Sequence, residues 1–181
     1  MRKVLYIFGL LNDADIEWMA RTGVRRLLSD GEIIIREGKR SDFVVFLLQG
    51  ELLVTTRSLG EIASMGAGEV VGEMSMVDSA PPSATITARG TGFALFLDKV
   101  KLEQKLDSDE GFSSRFYRAL AVFLADRLRD ARRSTSTSSA LADDDVIDPD
   151  ELDMGILDRV SDAGERFNRM LRTLGDGSLS G

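Results

Sequence analysis

The sequence predicts a mainly β domain flanked by helices, built as a small antiparallel barrel or roll. Three observations lead there. Between Arg25 and Phe96 the chain is a series of short apolar runs separated by glycines, the texture of many short strands joined by tight turns. Before and after that stretch the apolar residues recur at three- and four-residue intervals, the period of a helix packed by one face. At 181 residues and 43% hydrophobic content, the chain can bury the core of one domain and still carry an appendage.

The opening Met1-Arg2-Lys3-Val4-Leu5-Tyr6-Ile7-Phe8 is apolar but short, and Asp13 and Asp15 follow soon after. It reads as a helix that packs on the domain rather than as a targeting segment. Asn12 is placed to cap a helix over Asp13–Thr22 with Ile16, Met19 and Ala20 inward, and Gly23 ends it. The strand candidates are Ile33–Ile35, Phe43–Leu48, Leu52–Val54, Val70–Val71, Ile86–Ala88 and Phe93–Leu97. Gly31, Gly38, Gly50, Gly60, Gly66 and Gly68 supply the turns. Lys99 to Lys105 is a short helix.

From Asp109 to Arg133 a longer helix carries Phe112, Phe116, Ala119, Leu120, Phe123, Leu124 and Leu128 as a broad apolar band. That band either packs on the barrel or pairs with a second copy. Ser134 to Pro149 is a Ser/Thr- and Asp-rich linker. A helix over 150–174 then presents Leu152, Ile156, Val160, Phe167 and Leu171 on one stripe, and 175–181 is an unstructured end. Gly155 and Gly164 inside the tail helix cost about 1 kcal/mol each relative to Ala. The helix therefore needs a docking surface, on its own barrel, a sister subunit or another protein.

Composition removes whole classes of function. The chain has neither Cys nor His, so disulfides, thiol chemistry and the usual zinc and haem ligands are absent, and no metal site or cofactor is expected. The same absence of Cys fits a cytoplasmic address, and no apolar run is long enough to span a bilayer. The net charge of −7 belongs to the tail, where eleven of the thirty acids face four Arg after residue 133; the body is balanced. That distribution is not the basic footprint of a DNA-binding protein. Without His or Cys a nucleophile–base pair is hard to assemble, and an enzyme is not expected.

The chemistry concentrates in Gly72-Glu73-Met74-Ser75 and the following Pro82-Ser83-Ala84-Thr85. The stretch resembles the phosphate-binding cassette of the cyclic-nucleotide-binding domain family, in which Gly-Glu is followed some ten residues later by Arg-Ser-Ala or Arg-Ala-Ala. Further landmarks agree in order: Phe8-Gly9-Leu10-Leu11, Gly31-Glu32-Ile33-Ile34-Ile35-Arg36-Glu37-Gly38, Gln49-Gly50-Glu51-Leu52 and Gly66-Ala67-Gly68-Glu69-Val70-Val71. The span 1–133 is thus similar to the Crp/Fnr regulators and the regulatory subunit of protein kinase A. The resemblance implies an eight-stranded jelly-roll barrel, an N-terminal helix, and a long C-terminal helix that lids the ligand and often dimerises. It implies cyclic AMP, cyclic GMP or a related cyclic nucleotide as ligand. Gly72, Met74 and Ser75 would offer backbone N–H groups, and Glu73 would take the ribose 2′-hydroxyl. Ser83, Ala84 and Thr85 would line the phosphate. Phe112, Phe116, Leu120, Phe123 and Leu124 would form the lid and the homodimer contact.

One position departs from the pattern. Pro82 stands where the cassette carries its arginine, and proline offers neither charge nor N–H. A hydrogen bond to a charged group is worth about 1.5–3 kcal/mol, so its loss alone weakens a ligand by roughly one to two orders of magnitude. A second departure follows the long helix, which leads into the acidic tail rather than into a DNA-binding domain. The expected function is a non-enzymatic sensor or regulatory module that signals or docks through its C-terminal helix. The alternative is a ligand-free scaffold whose tail binds a partner protein.

Overall fold

The computed structural model describes residues 8–78, 80–136, 164–166, 169, 170 and 172. After a helical turn at residues 8–10, helix α1 (Asp13–Thr22) begins at a capping box. The Asn12 side chain accepts from Asp15 N, and Asp15 accepts from Asn12 N. Six strands follow: β1 (Val24–Leu28), β2 (Ile33–Ile35), β3 (Phe43–Thr56), β4 (Gly60–Gly66), β5 (Val70–Val71) and β6 (Thr85–Asp98). The single-turn helix α2 (Ser75–Asp78) interrupts them between β5 and β6. Helices α3 (Lys99–Ser108) and α4 (Glu110–Ser136) complete the body.

All pairings are antiparallel. The two fourteen-residue strands β3 and β6 pair from Phe43↔Asp98 to Thr55↔Thr85 and form a spine. The first half of β3 takes β5 and the second half takes β4. The second half of β6 takes β1 and the first half takes β2. The mainly-β jelly-roll class is as expected, but the described sheet has six strands and does not close into a barrel.

The count of eight fails for a local reason. Gln49-Gly50 and Gly90 to Gly92 sit inside strands rather than between them, at shifts of register. There the two backbones cross too closely for a side chain. A Cβ on Gly92 would lie 2.3 Å from the Gln49 carbonyl oxygen, and Gly50 adopts φ +102°. Each long strand bends at this crossing and serves both halves of the roll.

Two hydrophobic layers result. Val45, Leu47, Leu52, Val71, Ala94 and Phe96 fill the inside of the roll. Val44, Phe46, Leu48, Leu95 and Leu97 point the other way, against Phe8, Met19, Leu102, Phe112 and Phe123 of the helices. Both faces of Val44–Leu48 are therefore covered, which is why that run is continuously apolar rather than alternating.

Phe112, Phe116, Leu120 and Phe123 are at most 4% exposed within this one chain, and Leu124 packs beside them. This part of the band packs against the chain's own body, while Leu128 further along it is 59% exposed. α4 also runs to Ser136, three residues into the segment read as linker. The remainder of that linker and the residues Leu152, Ile156, Val160, Phe167 and Leu171 lie outside the described residues. No described helix is long and apolar enough to cross a membrane.

Candidate functional site

A cavity of about 420 Å³ opens between the second half of the roll, the cassette and α4, within the range of small-molecule sites. Its walls are mostly apolar, from Ile35, Val54, Met65, Val71 and Ile86. Its rim carries Gly72, Glu73, Met74, Ser75, Asp78, Pro81, Pro82, Ser83 and Ala84, and Arg127 comes from α4. Seven of the eight cassette residues picked out in sequence therefore meet here. Thr85 does not line the cavity: it belongs to β6, and its hydroxyl accepts from Glu37 N at 3.1 Å.

The cassette is held from behind. Gly72 has φ +82°, and a Cβ there would lie 2.6 Å from the Phe43 carbonyl oxygen, so the glycine is required by β3 before any ligand is considered. Ser75 Oγ donates to Gly72 O at 2.9 Å and accepts from Lys99 Nζ, which also donates to Ser41 O. Partial burial pulls the Lys99 ammonium below its ordinary value, against the nearby Asp42, Glu103 and Glu73 carboxylates. On the other side, Gly38 N donates to Pro82 O at 2.8 Å and fixes the Pro-Pro turn.

Glu73 is the chemical centre. It is 2% exposed, and Arg127 Nη1 donates to its Oε1 at 2.6 Å. Arg127 Nη2 lies 3.2 Å from Met65 Sδ and 3.8 Å from Glu69 Oε2, and its guanidinium stacks 4.8 Å from the Phe123 ring centroid. Burial pushes the Glu73 carboxyl up. Arg127 and the Glu73 backbone N–H pull it down and Glu69 adds to the rise, but burial prevails. Met74 is half exposed at the mouth.

Arg89, four residues beyond the cassette in sequence, is on the outer surface, paired with Glu51 at 3.3 Å and Glu61 at 3.0 Å. Among the described residues that line the cavity, Arg127 is the one cation. Sequence reading placed it in the lid without singling it out. The signal lay in the helical period: the inward positions 112, 116, 120 and 123 continue to 127, where an arginine occupies the buried face. Among the described residues no group of acids could hold a metal ion.

The described tail residues rest on the chain's own body. Arg166 donates to Asp13 Oδ1 at 2.9 Å, to Leu11 O at 2.9 Å and to Phe8 O at 3.2 Å, and Arg169 reaches Asp13 Oδ2 at 2.8 Å. Met170 is buried in the helical layer of the core. α4 grips the same N-terminal helix from the other side, where Arg115 holds the buried Asp15 through two bonds of 2.7 and 2.8 Å.

Residues 25–109 match the family model described as the cyclic nucleotide-binding domain. A cyclic nucleotide-gated potassium channel of Rhizobium etli is 30% identical over 82 residues, 45% of this chain and 22% of the channel, so the chain spans less than a quarter of that relative's length. A solved cyclic nucleotide-binding domain from Methylobacillus flagellatus superposes with a TM-score of 0.66 at 22% identity, over 78% of this chain and 84% of that one. The catabolite activator protein of Thermus thermophilus gives 0.60 at 21% identity, over 96% and 88%. The N-terminal domain of a transcriptional regulator from Streptomyces coelicolor gives 0.57 at 25% identity, over 80% and 99%.

Proposed function

We propose, from the match of residues 25–109 to the cyclic nucleotide-binding domain model, that the chain is a regulatory sensor module whose ligand is a cyclic nucleotide or a related phosphate ester, held less tightly than by a complete cassette. The observation that carries this reading is the cavity itself. Its rim is the Gly72–Ala84 cassette, its buried acceptor is Glu73, and α4 reaches across it with Arg127. The structures matched by the fold include the regulatory domain of Toxoplasma gondii PKA solved with cyclic AMP, which supports the ligand class. The weakening follows from Pro82, which lines the cavity without charge or N–H.

Output runs through the C-terminal segment. The described tail residues sit on α1, and α1 is also held by α4. Closure of α4 over a ligand would shift the balance between docked and released tail. Calorimetric titration with cyclic AMP and cyclic GMP, on the natural chain and on Pro82→Arg, tests the reading. Binding is expected in both, tighter by about 10- to 100-fold in Pro82→Arg. No heat from either protein counts against it.

The second reading, a scaffold whose segment 150–174 binds a partner protein, draws on the arginine-filled state of Glu73. Deleting 150–174 and finding every native association intact would remove it.

A further inference from the structure

Pro82 leaves the cassette without its own cation, yet the cavity is not without one. Arg127 lines it from α4, and its side chain is 23% exposed. One of its five N–H donors is spent on Glu73 at 2.6 Å and another on the weak acceptor Met65 Sδ at 3.2 Å. Glu73 is in turn the group that the family resemblance assigns to a ribose hydroxyl, so ligand and arginine claim the same carboxylate. A ligand that merely displaced Arg127 would leave Glu73 without its cation and the guanidinium with only Glu69, 3.8 Å away, which is costly for a carboxylate this buried. A ligand that brings a hydroxyl and an anion together avoids that cost: the hydroxyl donates to Glu73, and the guanidinium takes the anion in the forked geometry it prefers for phosphate.

We propose that Arg127, supplied by the lid helix, is the phosphate-binding residue of this cavity, and that a cyclic nucleotide binds by exchanging partners with the resident Glu73–Arg127 pair. The inference rests on the reading of the cavity as a ligand site. It assigns specificity to the pairing of hydroxyl with charge. A 2′-deoxy cyclic nucleotide cannot satisfy Glu73, and an uncharged nucleoside cannot satisfy the arginine it dislodges. It also makes the ligand's charge, rather than its base, the handle on α4.

The test is calorimetric titration of the intact chain with cyclic AMP, 2′-deoxy cyclic AMP and adenosine. The variants are Arg127→Ala, Arg127→Gln, Arg127→Lys and Arg127→Ala combined with Pro82→Arg, each checked for folding by thermal melting. Arg127→Gln guards against a misfolded Arg127→Ala, since it can still donate to Glu73 without a charge. Loss of the arginine charge should weaken cyclic AMP by about 10- to 100-fold, while adenosine binds as before or more tightly. Arg127→Lys should retain most of the affinity, and Pro82→Arg should recover it in the double variant. That opposite response of charged and uncharged ligands is what a merely structural arginine would not produce.

Cyclic AMP binding unchanged or tightened in Arg127→Ala and Arg127→Gln overturns the proposal, because Arg127 would then be only a plug. If Pro82→Arg binds in that case, the cavity is still a ligand site and this inference alone has failed. If neither the natural chain nor Pro82→Arg binds any of the three, the reading of the cavity fails and takes the inference with it.

Discussion

Glu73 sits in an environment that penalises its charge, and the penalty has a measurable sign. Burial raises its carboxyl above the ordinary value of 4.5 even with Arg127 beside it. Between that value and the raised one the folded chain therefore holds more protons than the unfolded chain, and stability must fall as pH rises through the window. Glu73→Gln removes the titration. Denaturation midpoints at stepped pH should show a smaller decline across that window in Glu73→Gln than in the natural chain, and parallel profiles would contradict the assignment. Pro82 and Gly72 show how differently two neighbouring positions can be read. Gly72 is fixed by the approach of the Phe43 carbonyl and needs no ligand to explain it. Pro82 contributes only a backbone carbonyl, to Gly38 N.

Helix α1 is clamped twice. Its buried Asp15 takes both forks of Arg115, and its exposed Asp13 takes Arg166 and Arg169 from the tail. The hydrogen bonds from these two arginines hold the Asp13 carboxyl below its ordinary 3.8. The stability they lend is present above that value and is lost as pH falls through the lowered one. Arg166→Ala removes the bond to Asp13 and two carbonyl contacts, a loss of about 1–2 kcal/mol for a contact that is partly exposed. Hydrogen exchange over residues 8–22 should quicken in Arg166→Ala at neutral pH. Exchange at the natural rate would place the tail's weight elsewhere.

The elements also differ in how legible they were. α1 and its Asn12 cap, α3 and most of α4 follow directly from helical period and capping chemistry. β1 and β4 escaped notice because Val24–Leu28 carries two arginines and Gly60–Gly66 is almost wholly exposed, so neither has the alternation that betrays a half-buried strand. β3 and β6 were each divided in two because a glycine inside a strand reads like a turn.

Across the whole molecule, α4 is the beam that joins the parts. Arg115 near its start grips α1, and Arg127 twelve residues on grips the cavity, a span of about 18 Å along a rigid rod. Phe112, in the first turn of α4, stacks edge-on to Trp18 of α1 with centroids 5.4 Å apart. Trp18 is the only tryptophan in the chain. Movement of the Arg127 end of α4 on ligand binding should therefore change its emission, saturating with the same midpoint as the calorimetric titration. Emission that stays constant through saturation would mean that the lid moves without α1. The cassette was visible in sequence because its residues are contiguous. The cation that completes it was not, because Arg127 and Glu73 are 54 positions apart and only the fold brings them together.

The contact between Arg166 and the Phe8 carbonyl spans 158 positions, and it has a consequence in time. A chain made at about 5–20 residues per second can assemble the roll and lay α4 across it while the surface around Phe8, Leu11 and Asp13 is still bare. That surface is covered only when the residues around Met170 leave the ribosome. Every newly made copy thus passes through an interval in which its N-terminal helix is available to other proteins and its own tail has not yet arrived.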